Sequence, residues 1–400
     1  MFLDVLYRRN RKLLEAAVEL HQKGQIPANS YVIDVDTVRD NAEILAAEGR
    51  KYNMKVFAMA KQIGRNPVVL KAISEAGIDS CVAVDMADAR AVHASGLKVG
   101  HLGHLVQVPK AETEAGLNMR PEFWTVFNYK KAQEISRANH GNRNQKILAR
   151  VFADGDRFYK GHEGGFPAED ILKLRDYIDA LKGLRFSGIT SFPALLYDHE
   201  LKDAVPTHNL KTLEKTAAVL AGAGMEGIEI NAPGTTSSIV FEKLANAGAT
   251  QVEPGHGLTG TTPLHAVKDL AERPAMIYVS EVSHIHGGKS YCFGGGMYID
   301  PVFPDYPVKA FVGSTSEDAL KKKILCDIPD TAAIDYYGIL QPESGDKVRE
   351  GDTVIFGFRA QAFVTRAYMV PVSGLSQGKP KVEGVWASDG RKVGWPEWEA

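Results

Sequence analysis

Cysteine is scarce in this 400-residue sequence, and the three present, Cys81, Cys292 and Cys326, are odd in number and widely spaced. That excludes a disulfide framework and a C-x-x-C metal pair. It fits a reducing compartment, so a cytoplasmic location is expected. Long apolar runs are missing as well: none approaches the ~18 residues that a membrane-spanning helix requires. Neither sign of charge dominates, with 47 Lys and Arg against 49 Asp and Glu for a formal net charge of −2. Nothing electrostatic therefore points to nucleic acid or to an acidic membrane as partner. A Walker loop, a G-x-S-x-G elbow, low-complexity tracts and a short-period repeat are absent too. The opening Met1-Phe-Leu-Asp-Val-Leu-Tyr-Arg-Arg-Asn-Arg-Lys12 places its basic block behind its apolar residues, the reverse of a secretory signal. It reads as an amphipathic helix within 1–24.

What is present is enough apolar residue, 44% against 24% charged, for a sizeable core in more than one domain. Short apolar runs recur near 55–60, 79–84, 98–102, 123–127, 147–152, 185–190, 227–230 and 250–253. Helical spacing fills most intervals, at 66–76, 85–94, 109–117, 129–139, 167–182, 208–223 and 237–247. Repeated strand–helix units imply a parallel sheet, and eight of them predict a closed (β/α)8 TIM barrel over 25–265. An open doubly wound sheet is the alternative. The strand Ser30-Tyr-Val-Ile-Asp-Val-Asp36 and a helix from Thr37 to about Tyr52 precede the alternation. After about residue 265 helical spacing nearly vanishes. β-branched and aromatic strands such as Met276–Val282 and Thr353–Phe358 are separated by Gly- and Pro-rich turns. This predicts an all-β domain over 266–400.

A barrel enzyme assembles its site at the C-terminal ends of its strands, and phosphate often sits in the last two loops. The first apolar run ends in Lys61, followed by Gly64 and by a helix start at Asn66-Pro67. A lysine there is either a buried amine suited to Schiff-base chemistry or a lysine that has just reached solvent. The fifth run leads into Asp154-Gly155-Asp156-Arg157, and the sixth ends at Thr190-Ser191-Phe192. The seventh opens Gly234-Thr235-Thr236-Ser237-Ser238, a glycine and four hydroxyls. That suits a phosphate dianion, or an ordinary helix cap. The eighth opens Glu253-Pro254-Gly255-His256. Phosphate donors late in the barrel, with an amine at the first strand, match a phosphorylated aldehyde cofactor.

These motifs in this order resemble the fold-type III pyridoxal-phosphate enzymes: alanine racemase, D-threonine aldolase, D-serine dehydratase and the basic amino-acid decarboxylases. A bacterial alanine-racemase-like subgroup with a decarboxylase-like Glu-Pro-Gly loop is the nearest of these. The resemblance implies pyridoxal 5'-phosphate as cofactor, with Lys61 carrying the aldimine and acting as a base. It implies Arg157 at the cofactor's phenolic oxygen. The phosphate falls to Gly234, Thr235, Thr236, Ser237, Gly255 and His256. Racemases carry an arginine where Glu253 stands; a carboxylate beside the pyridine nitrogen favours its protonation and a stronger electron sink. Racemases and decarboxylases also place a histidine against the ring, whereas the matching sixth-strand end offers Ser191. The family works as homodimers in which the partner's β-domain supplies a second base. Here His286, Tyr291 and Cys292 are the candidates. Arg359 stands where a substrate carboxylate is bordered, as a bidentate clamp or as a surface arginine.

The resulting expectation is a pyridoxal-phosphate enzyme acting on an amino acid, racemisation first, with decarboxylation or aldolase/dehydratase chemistry as the alternative. A non-catalytic pyridoxal-phosphate-binding protein and a cofactor-free Schiff-base aldolase are two further readings. The first of these relatives lacks a β-domain, and the second gives Glu253 no role. Gly255-His-Gly257-Leu-Thr-Gly260 fits G-x-G-x-x-G, but no helix follows it, which argues against a dinucleotide site. His101-Leu-Gly-His104, His284-Ile-His286 and Asp198-His199-Glu200 match no metal pattern of the family, so no metal is expected.

Overall fold

The computed structural model describes residues 1–140, 144–330 and 333–395, so the last five positions of the 266–400 range lie outside it. The chain divides into two compact units, Ala42–Ala60 with Ile73–Gly257, and Met1–Asn41 with Lys61–Ala72 and Leu258–Ala400.

The first unit holds a closed parallel barrel. Its strands are Lys55–Val56 continued by Ala58–Met59, then Ser80–Ala83, Lys98–Leu102, Phe123–Val126, Gln145–Phe152, Leu184–Thr190, Glu229–Asn231 and Gln251–Val252. Each pairs in parallel with its neighbour, and the last pairs back to the first through Gln251↔Lys55 and Val252↔Val56. Closure decides for the (β/α)8 TIM barrel over the open sheet. Ser80–Ala83 and Phe123–Val126 are buried at every position, which is why they read as continuous apolar runs rather than alternations. The helices start where polar caps stand. Asp85 Oδ1 accepts from Asp88 N at 2.8 Å to open Met86–Ala94, and Asn128 Oδ1 accepts from Lys131 N at 2.8 Å to open Tyr129–Asn139. The sixth loop adds an antiparallel hairpin, Leu195–Asp198 with Asp203–Pro206, which helical periodicity did not reveal.

The second unit is built on a β-sheet that is antiparallel except where Ser30–Asp34 runs parallel to Tyr368–Ser373. Met276–His286 pairs with Lys289–Phe293 in a hairpin and with Thr353–Phe356. Ser30–Asp34 lies between Met276–His286 and Tyr368–Ser373, bonded to both. The stretch that precedes the alternation, placed with the barrel by sequence, is therefore a strand of this sheet; all five residues are buried. The amphipathic start is two helices, Phe2–Arg9 and Arg11–Gln22. They break at Asn10, whose side chain turns inward to donate to Asp34 Oδ2 and to the Pro274 carbonyl, both at 2.9 Å. Their apolar faces (Leu3, Leu6, Leu13, Leu14, Val18) pack on Ile277, Val279, Ile355 and Val370.

Candidate active site

The C-terminal ends of the barrel strands gather a buried polar network. Glu253, one residue past the eighth strand, is its centre. Its Oε1 accepts from His101 Nδ1 at 2.7 Å and from Asn231 Nδ2 at 2.9 Å. His101 lies on the third strand and meets Thr125 Oγ1 of the fourth at 2.5 Å through its other nitrogen. Asn231, closing the seventh strand, accepts from Thr190 of the sixth at 2.8 Å. Glu253 Oε2 lies 3.3 Å from His104 Nε2 without hydrogen-bond alignment. Burial works to raise the Glu253 pKa, but His104, the His101 bond and Asn231 outweigh it and hold the carboxyl below the ordinary glutamate range. Glu253 is thus a carboxylate with one oxygen doubly hydrogen-bonded and the other buried without a hydrogen-bond donor among the described residues.

The neighbouring loops supply a second polar surface. Thr236 Oγ1 and Ser237 Oγ are buried without a hydrogen-bond partner among the described residues. Ser237 occupies the N-cap position of the short turn Ser238–Val240, yet its side chain makes no cap bond. The plain-cap reading of this loop does not describe it. Gly234 has φ +139°, and a Cβ there would fall 2.6 Å from the Leu195 carbonyl oxygen. A Cβ on Gly257 would fall 2.6 Å from the Thr236 carbonyl oxygen, so the seventh and eighth loops touch backbone to backbone. Thr235 holds φ +43°, a left-handed conformation that costs a non-glycine residue about 1 kcal/mol or more. Gly255 is half-buried and His256 buried in the same loops.

The other expected residues are placed as follows. Lys61 is half-buried and opens a 3-10 turn, Lys61–Ile63, directly after the first barrel strand. Its Nζ stands 5.9 Å from the centre of the Phe363 ring. Arg157 is exposed, its backbone N–H donating to Asn209 Oδ1 at 2.9 Å. Ser191 is buried and accepts from Asn209 Nδ2 at 3.1 Å. In the β unit His286 is exposed at the hairpin tip. Tyr291 stacks on His284 with ring centres 4.6 Å apart, and Cys292 is buried with its thiol on the Gly338 carbonyl at 3.6 Å. Arg359 Nη1 pairs with the buried Asp300 at 2.9 Å.

Three residues escaped the sequence reading. His101 and His104 read in the sequence only as a candidate metal pair, although their i, i+3 spacing at a strand end is a signal for a site. Arg150, within the fifth strand, is fully buried and donates to the His162 carbonyl at 2.7 Å. Its guanidinium lies over Phe127 and Phe158, and burial pushes its pKa down to about 10, so it keeps its charge at neutral pH. An arginine inside an apolar run carries no period to mark it.

Residues 33–263 match the family model described as alanine racemase, N-terminal domain. The chain belongs to that family. Residues 277–382 match a second description, YhfX-like, C-terminal domain. A protein of Escherichia coli strain K12 carrying the name "Uncharacterized protein YhfX" is 37% identical over 395 residues, covering 98% of this chain and all of that one. Similar solved structures include D-threonine aldolase from Filomicrobium marinum, at 17% identity and TM-score 0.68, covering 92% of this chain and 96% of that one. Alanine racemase of Clostridium difficile 630 in complex with cycloserine is 15% identical, with TM-score 0.64, over 91% of this chain and 99% of that one. A D-threo-3-hydroxyaspartate dehydratase mutant in the metal-free form is 15% identical, with TM-score 0.65, over 89% and 97%. At these identities the likeness establishes the shared fold.

The alanine-racemase-like family binds pyridoxal phosphate and consists of amino-acid enzymes. The residues of this chain fit that group. Two buried hydroxyls without partners among the described residues suit its phosphate, and a carboxylate with one buried oxygen lacking a donor suits its pyridine nitrogen. No helix among the described residues is long and apolar enough to cross a membrane.

Proposed function

We propose that the chain is a pyridoxal-phosphate-dependent amino-acid racemase working as a homodimer. The observation that carries the cofactor part of this reading is the ionised Glu253 just past the eighth strand, its Oε1 doubly hydrogen-bonded and its Oε2 buried without a donor among the described residues. When bound, the cofactor condenses with an amino group and draws off the negative charge left at Cα when a bond there breaks. Thr236 and Ser237 would donate their hydroxyls to the phosphate, and Gly234, Gly255 and Gly257 would let the backbone approach it. Glu253 would hold a proton at the pyridine nitrogen. The Lys61 amine would anchor the aldehyde carbon and would move the Cα proton on one face. Racemisation needs a second base on the opposite face. Tyr291 and His286, on the hairpin of the β unit, are the partner-subunit groups assigned to it, with Cys292 the third candidate. Arg359 is assigned to the substrate carboxylate and would exchange part of its Asp300 pairing for it.

The strength of the sink set by Glu253 favours a second reading, cleavage at Cα–Cβ or Cβ elimination, as named for the aldolase and dehydratase of like fold. One experiment separates them. The holoprotein is incubated with a panel of D- and L-amino acids in deuterated buffer. Cα–H exchange and optical rotation are followed, with aldehyde, keto acid and carbon dioxide assayed alongside. Exchange with loss of rotation establishes the racemase; release of aldehyde or keto acid replaces it with the second reading. Borohydride should fix the cofactor on the peptide containing Lys61, and Lys61→Ala should abolish both that fixation and the exchange. Absence of fixation in the native protein refutes the cofactor assignment.

A further inference from the structure

Glu253 is restrained far more than a carboxylate at a barrel mouth requires. The network around it draws on four other strands: His101 and His104 from the end of the third and Asn231 from the seventh face Glu253, and Thr125 of the fourth and Thr190 of the sixth hold His101 and Asn231. All are buried, with His101, Thr125, Thr190 and Asn231 at 0% exposure and His104 at 1%. A carboxylate only accepts, so Asn231 must present its amide NH₂ to Oε1 and its Oδ1 to the Thr190 hydroxyl. His101 likewise must donate through Nδ1. Its other ring nitrogen, Nε2, meets the Thr125 hydroxyl at 2.5 Å. Oε1 is saturated and its direction set. Oε2 is left facing His104 Nε2 at 3.3 Å, whose ring packs 5.1 Å from His101 and edge-on 5.9 Å from Phe192. The charged side chain next along the network is Arg150, 3.5 Å from the His104 carbonyl through Nη1.

We infer that His101 and His104 are positioning residues that keep Glu253 a carboxylate and aim its Oε2 as the acceptor for the cofactor's pyridine N–H. This inference rests on the pyridoxal-phosphate reading of the site. The physical reason is the direction of a single proton. A glutamate in a dry barrel mouth, without donors, takes up the proton itself. It would then donate to a bare pyridine nitrogen, and the ring would draw less charge from Cα. With Oε1 capped by His101 and Asn231 and His104 beside Oε2, the proton belongs on the ring. The same three groups have nitrogen and oxygen atoms within 4.8 Å of one another, a grouping that a metal ion could also occupy. The 2.7 Å contact between Nδ1 and Oε1 requires a proton between them and argues for the hydrogen-bonded network.

The test uses apoprotein labelled with carboxyl-¹³C glutamate, with Glu253→Gln to assign the signal. In the native protein the Glu253 signal should remain ionised through neutral pH. In His104→Gln and in His101→Asn its proton affinity should rise about tenfold or more. Pyridoxal phosphate labelled with ¹⁵N in the ring should report a protonated nitrogen in the native holoprotein and an unprotonated one in the variants. Should His101→Asn fail to fold, His104→Gln carries the test. Unchanged Glu253 titration in folded variants that still bind the cofactor overturns the positioning role. One equivalent of zinc, added to the apoprotein and shifting both histidine ring signals, overturns it in favour of a metal centre. A responsive Glu253 in a protein whose Lys61 is not fixed by borohydride overturns the acceptor role through failure of the cofactor reading itself, a result distinct from the other two.

Discussion

Removing the Ser237 hydroxyl should stabilise the empty protein, or leave it unchanged, while weakening its hold on the cofactor. Its Oγ is buried, caps no helix N–H and has no partner among the described residues. Burying a hydroxyl without a hydrogen bond costs roughly 1–3 kcal/mol on the scale of protein mutations. Ser237→Ala deletes that cost in the apoprotein. In the loaded protein the same hydroxyl would donate to a phosphate oxygen, a bond to a charged group worth about 1.5–3 kcal/mol. Losing it should weaken pyridoxal phosphate binding by roughly 10- to 150-fold. Pyridoxal, which lacks the phosphate, should bind the native protein and the variant alike. The assay is thermal unfolding of the two apoproteins, followed by fluorescence titration with each aldehyde. A variant with a clearly lower apo melting temperature and unchanged pyridoxal phosphate affinity would refute the argument and return Ser237 to a capping role.

Gly257→Ala places a methyl 2.6 Å from the Thr236 carbonyl oxygen, so the seventh and eighth loops must part. Cofactor affinity should fall at least about tenfold with circular dichroism unchanged, a cost of about 1.4 kcal/mol; equal affinity would show that the loop contact does not matter to binding. Asn10→Ala strips two 2.9 Å hydrogen bonds from buried acceptors, Asp34 and the Pro274 carbonyl. It should cost about 2–3 kcal/mol in urea unfolding although alanine favours helix; a neutral or stabilising result would mean helix continuity outweighs the buried bonds. Burial pushes the pKa of His21 down to about 4 and that of His265 to about 3. Unfolded, both take up protons near 6.5, so stability should be full above that pH and decline as pH falls through it toward about 4. Chemical denaturation between pH 4 and 8 should show this slope, and a flat profile with His21→Gln indistinguishable from the native chain would contradict it.

The strand runs near 79–84, 98–102 and 123–127 were legible because these strands are buried on both faces, apart from the exposed Lys98, and are mostly apolar. The hairpin Leu195–Asp198 with Asp203–Pro206 was not, since its half-buried residues alternate weakly between turns. Gly234, Thr236, Ser237, Glu253 and Gly255 could be picked out because they cluster in two loops after recognisable strands. His101 and His104 could not be tied to Glu253. One hundred and fifty residues separate them, and only barrel closure sets the third strand end opposite the eighth.

By itself the amino-acid order determined the repeating strand–helix units, the all-β texture that follows, and the positions of the lysine, hydroxyl and carboxylate loops. These are local properties, written in side-chain period and in turn residues over ten or so positions. Tertiary structure alone decided that Ser30–Asp34 is a strand of the β sheet and that helix periodicity breaks at Asn10. It also decided which hydroxyls are left without partners and which oxygen of Glu253 is saturated. Those depend on hydrogen bonds between residues far apart in the chain, and no local pattern records where such bonds will close.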